Sequence, residues 1–263
     1  MKIGFIGLGN MGSAILNGIL QKNLVIPDDI YVSRKHPENA TSYASQGVHV
    51  FRSNIDVAKA ADILLLAVKP NILESVLEEI CGALTDHHLL ISIAAGWPPE
   101  RLLSVVPEHV SCVCVMPNVP ASVGAGCTIL NEKGRYTPEQ MDVVRQIFNS
   151  VGTTALVEDR YYSVCGALTG CSPAFVFEFI EALCDAAVLS GIPKPLALSL
   201  TAEMLSGSAQ MALKTGAHPG ALKDRVCSPG GTTIEGIRAL HEQGFHAAVM
   251  EALIKAIEKG KRL

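Results

Sequence analysis

Aromatic residues are scarce in this chain. They make up 5% of its 263 residues, with a single tryptophan. Ala, Leu, Val and Gly carry the apolar share of 49% instead, which favours closely packed helices over an aromatic-rich sandwich. Charge is also sparse, at 17%, and the formal net charge is −4 with no basic run. Nucleic-acid binding needs phosphate neutralisation by Lys and Arg, so it is disfavoured. The eight cysteines contain no C-x-x-C pair. Cys112 and Cys114 lie on one face of an apparent strand, VSCVCVM, and Cys165, Cys171 and Cys184 sit among small apolar residues. They read as reduced thiols acting as small hydrophobes, with neither a disulfide framework nor a metal site. No 18-residue apolar run is free of charge. The richest, residues 173–190, carries Glu178, Glu181 and Asp185 and reads as a buried or subunit-facing helix, not a membrane span. The opening MKIGFIGLGNMG is too short and too interrupted by glycine for a secretory signal, so a cytoplasmic protein is expected.

What is present is a regular alternation. Strands are expected at 2–7, 29–33, 48–51, 62–68, 89–95, 110–116, 127–130 and 153–157. Helices are expected between them at 11–21, 37–45, 55–60 (with Asn54 as its cap), 71–84, 98–106 and 138–149. DILLLAV (62–68) is continuously apolar, as a strand buried on both faces must be. This pattern predicts an α/β Rossmann-type domain over 1–157, with a mostly parallel sheet and helices on both faces. From 158 to 263 no strand pattern remains. Helices at about 159–169, 172–190, 194–215, 218–225, 231–242 and 245–261 predict an all-α second domain.

Gly7, Gly9 and Gly12 spell G-x-G-x-x-G directly after the first strand and at the opening of a helix. In that context the first glycine allows a tight turn, the second lets a pyrophosphate approach the backbone, and the third lets helix and strand pack closely. The helix N-terminus adds unpaired N–H groups and a favourable dipole. NAD sites place an Asp or Glu at the end of the second strand, to grip the ribose hydroxyls. Here stand Ser33, Arg34 and Lys35, one hydroxyl and two cations. That set suits a 2′-phosphate and predicts NADP(H), with NAD(H) at lower preference. Lys69 and Pro70, Ala94 to Gly96, and Asn118 fall at the carboxyl ends of later strands, where ligands of open parallel sheets sit. Asn118 is a candidate to hydrogen-bond a carboxamide or a substrate.

A second absence bears on chemistry. Oxidising an alcohol with a nicotinamide needs a base for the hydroxyl proton, usually Lys or His. Dehydrogenases acting on β-hydroxyacids share the GLGxMG opening but carry a lysine on a long helix of their second domain. This chain has no lysine between Lys133 and Lys194, and its eight histidines fall at turns, strand edges or surface positions. A substrate that is already electrophilic needs no such base. A protonated imine carries its own positive charge, and it could be held by a carboxylate handle.

SPGGTT (228–233) supplies such a grip. Gly230 and Gly231 leave backbone amides open, and Ser228, Thr232 and Thr233 add hydroxyls. Together they form an anion cradle without formal charge at the start of a helix. The same residues would also make an ordinary helix–helix turn with a threonine N-cap.

GFIGLGNMGSAI, AVKP, ISIAAG, MPNVP, LTGCSPAF and HPGALKDRVCSPGGTTIEGIRAL, taken in order, resemble the pyrroline-5-carboxylate reductase family over essentially the whole chain. The C-terminal block is the most specific part. Cys171, where members often have Ser or Gly, is one departure. The resemblance implies NAD(P)H-dependent reduction of 1-pyrroline-5-carboxylate to L-proline, the last step of proline biosynthesis. It implies that Ser228, Gly230, Gly231, Thr232 and Thr233 bind the substrate carboxylate, with Thr233 near the ring nitrogen as the catalytic candidate. It places cofactor contacts at Ile6, Gly7, Leu8, Gly9, Asn10, Met11, Ser33, Asn54, Ala67, Val68, Lys69, Pro70 and Ala95. It also implies a homodimer through intertwined helical domains, often within a ring of dimers. The alternatives are another imine or β-hydroxyacid reductase, or an NADP-binding sensor without turnover.

Overall fold

The structure, a computed structural model, describes residues 1–261. One eight-stranded sheet runs in the order β3-β2-β1-β4-β5-β6-β7-β8. Its strands are β1 (Ile3–Ile6), β2 (Ile30–Ser33), β3 (His49–Phe51), β4 (Ile63–Leu66), β5 (Leu89–Ser92), β6 (Ser111–Met116), β7 (Gly126–Arg135) and β8 (Gly152–Val157). Every neighbouring pair is parallel except β6 with β7. The helices around the sheet are α1 (Asn10–Gln21), α2 (Thr41–Ala44), α3 (Asn54–Ala60), α4 (Leu73–Ile80), α5 (Pro99–Val105) and α6 (Pro138–Asn149).

The apolar runs of β1, β4 and β5 are explained by cover on both faces: all four residues of each strand are buried. On one face Ile3, Phe5, Leu65 and Ile91 meet Ile15, Leu16 and Ile19 of α1 and Val144, Ile147 and Phe148 of α6. On the other, Ile6, Leu64, Leu66 and Leu90 meet Val57 of α3, Val76, Leu77 and Ile80 of α4, and Leu102 of α5. Each such fully buried side chain contributes about 1.5–3 kcal/mol relative to exposure. Packing also decides Gly18 in α1. Alanine is the better helix former by about 1 kcal/mol. Yet a Cβ there would lie 2.2 Å from Val151 Cγ1 and 3.0 Å from the Ser150 carbonyl oxygen, so close approach of α1 to the turn before β8 requires the bare backbone. α6 starts at a reciprocal cap: Thr137 Oγ1 accepts from Gln140 N–H at 3.3 Å, and Gln140 Oε1 accepts from Thr137 N–H at 2.8 Å.

Three local expectations change. α3 is capped by Ser53, whose hydroxyl accepts from Asp56 N–H at 3.2 Å; Asn54 is the first helical residue. β7 runs on to Arg135, well past the apolar CTIL. Its polar half is held by side chains: Arg135 donates to the carbonyls of Pro107 (2.7 Å) and Val110 (2.9 Å), and Lys133 pairs with Glu100 and Asp159. Finally, the expected break near residues 170–171 is absent. One helix, α7 (Asp159–Leu189), continues through it with Pro173 inside.

Met1–Gly170, joined by the stretch from Ile257, forms one compact unit, and Cys171–Ala256 forms the other. The second unit is helical, with α8 (Lys194–Thr215), α9 (Pro219–Val226), α10 (Thr232–Glu242) and α11 (Phe245–Gly260) following the later part of α7. Its internal packing is thin. Cys184 and Ala197 are buried, Cys184 Sγ lies 3.8 Å from Thr201 Oγ1, and the Phe179 and Phe245 rings are 5.7 Å apart. Most of its other large apolar side chains are exposed. No helix among the described residues is long and apolar enough to cross a membrane. All eight cysteines are free thiols, and burial pushes Cys114 up to about 12.

Candidate functional site

The glycine motif sits between the end of β1 and α1. Gly7 has φ +84°, a conformation that side chains disfavour, and a Cβ there would also press on Val68 Cγ1 at 2.8 Å. Gly12 lies against Ala67, whose Cβ would be 3.1 Å from an added one. Gly9 is different: it is exposed and an added Cβ would meet nothing within 4 Å. Gly9 is also the N-cap of α1, which has no side-chain cap and no acidic residue in its first turn. The first amides of a twelve-residue helix therefore open to solvent beside bare backbone. This is a good anion cradle, and it fits a dinucleotide pyrophosphate. Ile6 and Leu8 are buried supports, whereas Asn10 is exposed and Met11 half-buried.

At the end of β2, Ser33 faces inward and is 1% exposed. Its hydroxyl lies 2.6 Å from Asn54 Oδ1 and 3.4 Å from the Phe5 carbonyl, and it accepts from Gly7 N–H at 3.4 Å. Asn54 Nδ2 in turn donates to Glu79 Oε2 on α4 at 2.7 Å. A carboxylate only accepts, so Glu79 turns the Asn54 amide oxygen toward Ser33, and Ser33 must donate to it. Ser33 and Asn54 thus brace the Gly7 turn. Glu79 is a support that sequence reasoning missed, because its partner lies 25 residues away with no motif joining them. The outward cations are Arg34, half-buried with its guanidinium 3.3 Å from the Asn39 carbonyl, and exposed Lys35. Arg52 follows β3 directly and adds a third; a backbone hydrogen bond, then His36 and lastly Arg52, hold the Glu38 carboxyl below its usual range against the opposing effect of burial. Arg52 also escaped the sequence reading, although the parallel pairing of β2 and β3 puts the two strand ends side by side.

The ends of β4 and β5 are tied together. Trp97, 3% exposed, donates from Nε1 to the Pro70 carbonyl at 2.9 Å, and Arg101 covers its ring at 4.0 Å. This positions Ala67 and Val68, half-buried against the glycine turn, and Lys69, Pro70 and Ala95, all exposed. Asn118, after β6, is 8% exposed. Its Oδ1 accepts from Cys127 N–H at 2.9 Å and its Nδ2 donates to the Thr169 carbonyl at 3.0 Å. One N–H and one lone pair of Oδ1 are left for a ligand. The structure therefore groups the predicted cofactor residues along one edge of the sheet, with Ser33, Asn54 and Asn118 engaged in supporting it.

In the second unit, Ser228 to Gly231 form a tight turn. Gly231 N–H donates to the Ser228 carbonyl at 3.0 Å and Gly230 has φ +66°, as a type II turn after Pro229 requires. A Cβ on Gly231 would lie 2.4 Å from Ser228 Oγ, so the serine side chain folds directly over the glycine. Gly231 is the N-cap of α10, with no side-chain cap. The threonine-capped turn is thereby set aside: Thr232 and Thr233 lie inside the helix, and neither hydroxyl is used to cap it. Thr232 is exposed and Thr233 half-buried. The acidic residue of this first turn, Glu235, is paired with Arg238 at 3.1 Å. The turn thus gathers three hydroxyls beside open helix amides, an arrangement suited to a carboxylate.

Residues 159–263 match the family model described as pyrroline-5-carboxylate reductase dimerisation, and residues 2–96 match NADP oxidoreductase coenzyme F420-dependent. The chain is 44% identical to the pyrroline-5-carboxylate reductase of Escherichia coli (strain K12), over all of this chain and 98% of that one. It is 42% identical to that of Methanosarcina acetivorans, over all of this chain and 97% of the relative. Among solved structures it is similar to a Plasmodium falciparum pyrroline carboxylate reductase with NADP bound, with TM-score 0.91 and 35% identity over all of this chain and 97% of that one. The chain belongs to the pyrroline-5-carboxylate reductase family.

Proposed function

We propose that this chain reduces 1-pyrroline-5-carboxylate to L-proline with NADPH, NADH serving less well. The observation that carries the reading is the start of α10: a glycine N-cap without a side-chain cap, flanked by Ser228, Thr232 and Thr233. Ser228, Gly230, Gly231, Thr232 and Thr233 are assigned to the substrate carboxylate, held by hydroxyls and backbone amides, with Gly231 contributing bare backbone because its own N–H donates to Ser228. Thr233 Oγ1 is assigned to the proton on the ring nitrogen, as the group that orients the imine. The dinucleotide is assigned to residues 6–12, braced by Ser33 and Asn54, and to Ala67, Val68, Lys69, Pro70 and Ala95, with Asn118 holding the adjoining turn. Arg34, with Lys35 and Arg52, is assigned to a 2′-phosphate, since no carboxylate ends β2 to grip ribose hydroxyls. When bound, the reduced nicotinamide supplies the hydride. The protein's contribution is then orientation of two reactants; a protonated imine needs no strong acid from the chain.

The working division is residues 1–157 for the dinucleotide and 158–263 for substrate and self-association. The match to a dimerisation model and the exposed apolar side chains of α7, α8 and α11 support a homodimer through intertwined helices; a ring of such dimers belongs to the same proposal. A cytoplasmic location is part of the same proposal.

The deciding experiment follows NADPH absorbance with and without synthetic pyrroline-5-carboxylate, and detects proline as product. Imine-dependent oxidation with stoichiometric proline is the expected result. NADPH binding without turnover on any cyclic imino acid would leave a sensor and remove the reductase reading.

A further inference from the structure

α7 is helical on both sides of Pro173. Proline has no N–H, so the carbonyl four residues earlier, on Thr169, loses its helical donor. Asn118 Nδ2 donates to that same carbonyl at 3.0 Å. The Thr169 hydroxyl does not help, since it donates to the Cys165 carbonyl at 3.0 Å. The amide is anchored at its other end by Cys127 N–H, 2.9 Å from Oδ1, and is 8% exposed. An unmet carbonyl at such a site carries a desolvation penalty.

The surroundings repeat the theme of close approach. A Cβ on Gly166 would fall 2.2 Å from Met116 Sδ, so this turn of α7 lies directly on the last residue of β6. The chain leaving β6 turns through residues 119–123 at Asn118, whose own carbonyl accepts from Ala121 N–H at 3.0 Å. Val119 and Val123 on that turn are 59% and 79% exposed. The turn stands beyond the carboxyl end of a parallel strand, on the same edge as the turns after β1, β4 and β5.

We infer that Asn118 is a positioning residue which fills the hydrogen-bond gap opened by Pro173 in α7 and thereby clamps the turn 117–125 at the cofactor edge of the sheet. Its kinetic consequence rests on the proposed reductase reading; the clamp itself does not. Asn118→Asp is the sharp variant, because it keeps an acceptor for Cys127 N–H and puts a second acceptor against the Thr169 carbonyl. Pro173→Ala gives that carbonyl a helical donor of its own.

The experiment is a double-mutant cycle on the full chain, read by thermal midpoint, amide exchange and steady-state kinetics. Asn118→Asp is expected to lower the midpoint by about 4 °C or more. In the Pro173→Ala background the same change is expected to lower it by less than half as much. Amide exchange in Asn118→Asp should quicken over residues 117–127 and 165–172 and stay unchanged in β1 and α1. With pyrroline-5-carboxylate, kcat should fall by about tenfold while the NADPH dissociation constant stays within about twofold. Equal midpoint losses in the two backgrounds would overturn the clamp. Should Pro173→Ala not fold, the exchange data on Asn118→Asp decide: unchanged protection over 117–127 overturns it. An intact cycle in a protein that turns over no imine would sink the reductase reading and leave the clamp standing.

Discussion

The two units of this chain treat apolar side chains in opposite ways. Met1–Gly170 closes two layers over a sheet whose central strands are wholly buried, and its exposed large apolar residues, such as Ile26 and Ile72, are scattered except for Val119 and Val123 and a short row of Tyr161, Val164 and Leu168 at the start of α7. Cys171–Ala256 leaves rows of them open. Leu196, Leu200 and Met204 recur every four residues along α8 at 50%, 56% and 48% exposure, and Met250 and Ile254 repeat the pattern on α11. Spacing of four marks one face of a helix. Isolated exposed leucines need no explanation, but contiguous apolar rows mark an interaction surface. The first unit carries its own core; the second, which matches a dimerisation model, leaves apolar rows uncovered.

A charge placed in each region makes the sharpest contrast. Leu200→Glu is expected to abolish the proposed dimer and with it nearly all activity, measured by sedimentation and NADPH oxidation. Ile26→Glu, at a residue 64% exposed in the first unit, should leave stability within about 0.5 kcal/mol and assembly unchanged. A Leu200→Glu protein that stays dimeric and active breaks the comparison.

The two helix starts offer a second contrast, between α1 and α10. Both open at a glycine N-cap without a side-chain cap. Only the α10 start is ringed by hydroxyls. Thr233→Ala is expected to lower turnover about a hundredfold while NADPH binding persists. Gly9→Ala should do the reverse. Its Cβ would meet no protein atom within 4 Å, so the fold tolerates it, yet it fills space a pyrophosphate would need. The NADPH Michaelis constant should rise about tenfold, equivalent to 1.4 kcal/mol, with an unchanged thermal midpoint. Full activity in Thr233→Ala would remove that hydroxyl from the mechanism.

Much of this arrangement was legible in the sequence, for identifiable reasons. Parallel strands buried on both faces are short apolar runs, and LLIS or ILLL cannot easily be anything else in this spacing. The glycines of the first turn announce themselves by position. The polar half of β7 was not legible, because Lys133 and Arg135 extend a strand only through partners far away in the chain. Nor was the continuity of α7: Thr169, Gly170 and Pro173 read locally as a break, and distant packing overrides that reading. Asn118 and Ser33 show the same limit at the site. A polar residue at a strand end looks alike whether it meets a ligand or the fold. Ser33 meets Phe5, Gly7 and Asn54, and Asn118 meets a carbonyl 51 residues on. Periodicity reports burial; it does not report which distant group a buried side chain faces.

The smallest expected effect tests how complete the first unit's core is. Thr128 on β7 is fully buried, and among the described residues its Oγ1 is the one buried side-chain nitrogen or oxygen without a hydrogen-bond partner. Valine has nearly the same shape and no hydroxyl to desolvate. Removing an unmet buried hydroxyl without opening a cavity is expected to stabilise by about 1 kcal/mol, or a midpoint rise of about 2–4 °C in a domain of this size. Differential scanning fluorimetry of Thr128→Val against the parent reads this directly. A lower midpoint would mean that the hydroxyl contributes more inside the sheet than its desolvation costs, and that the first unit's core is not closed by apolar packing alone.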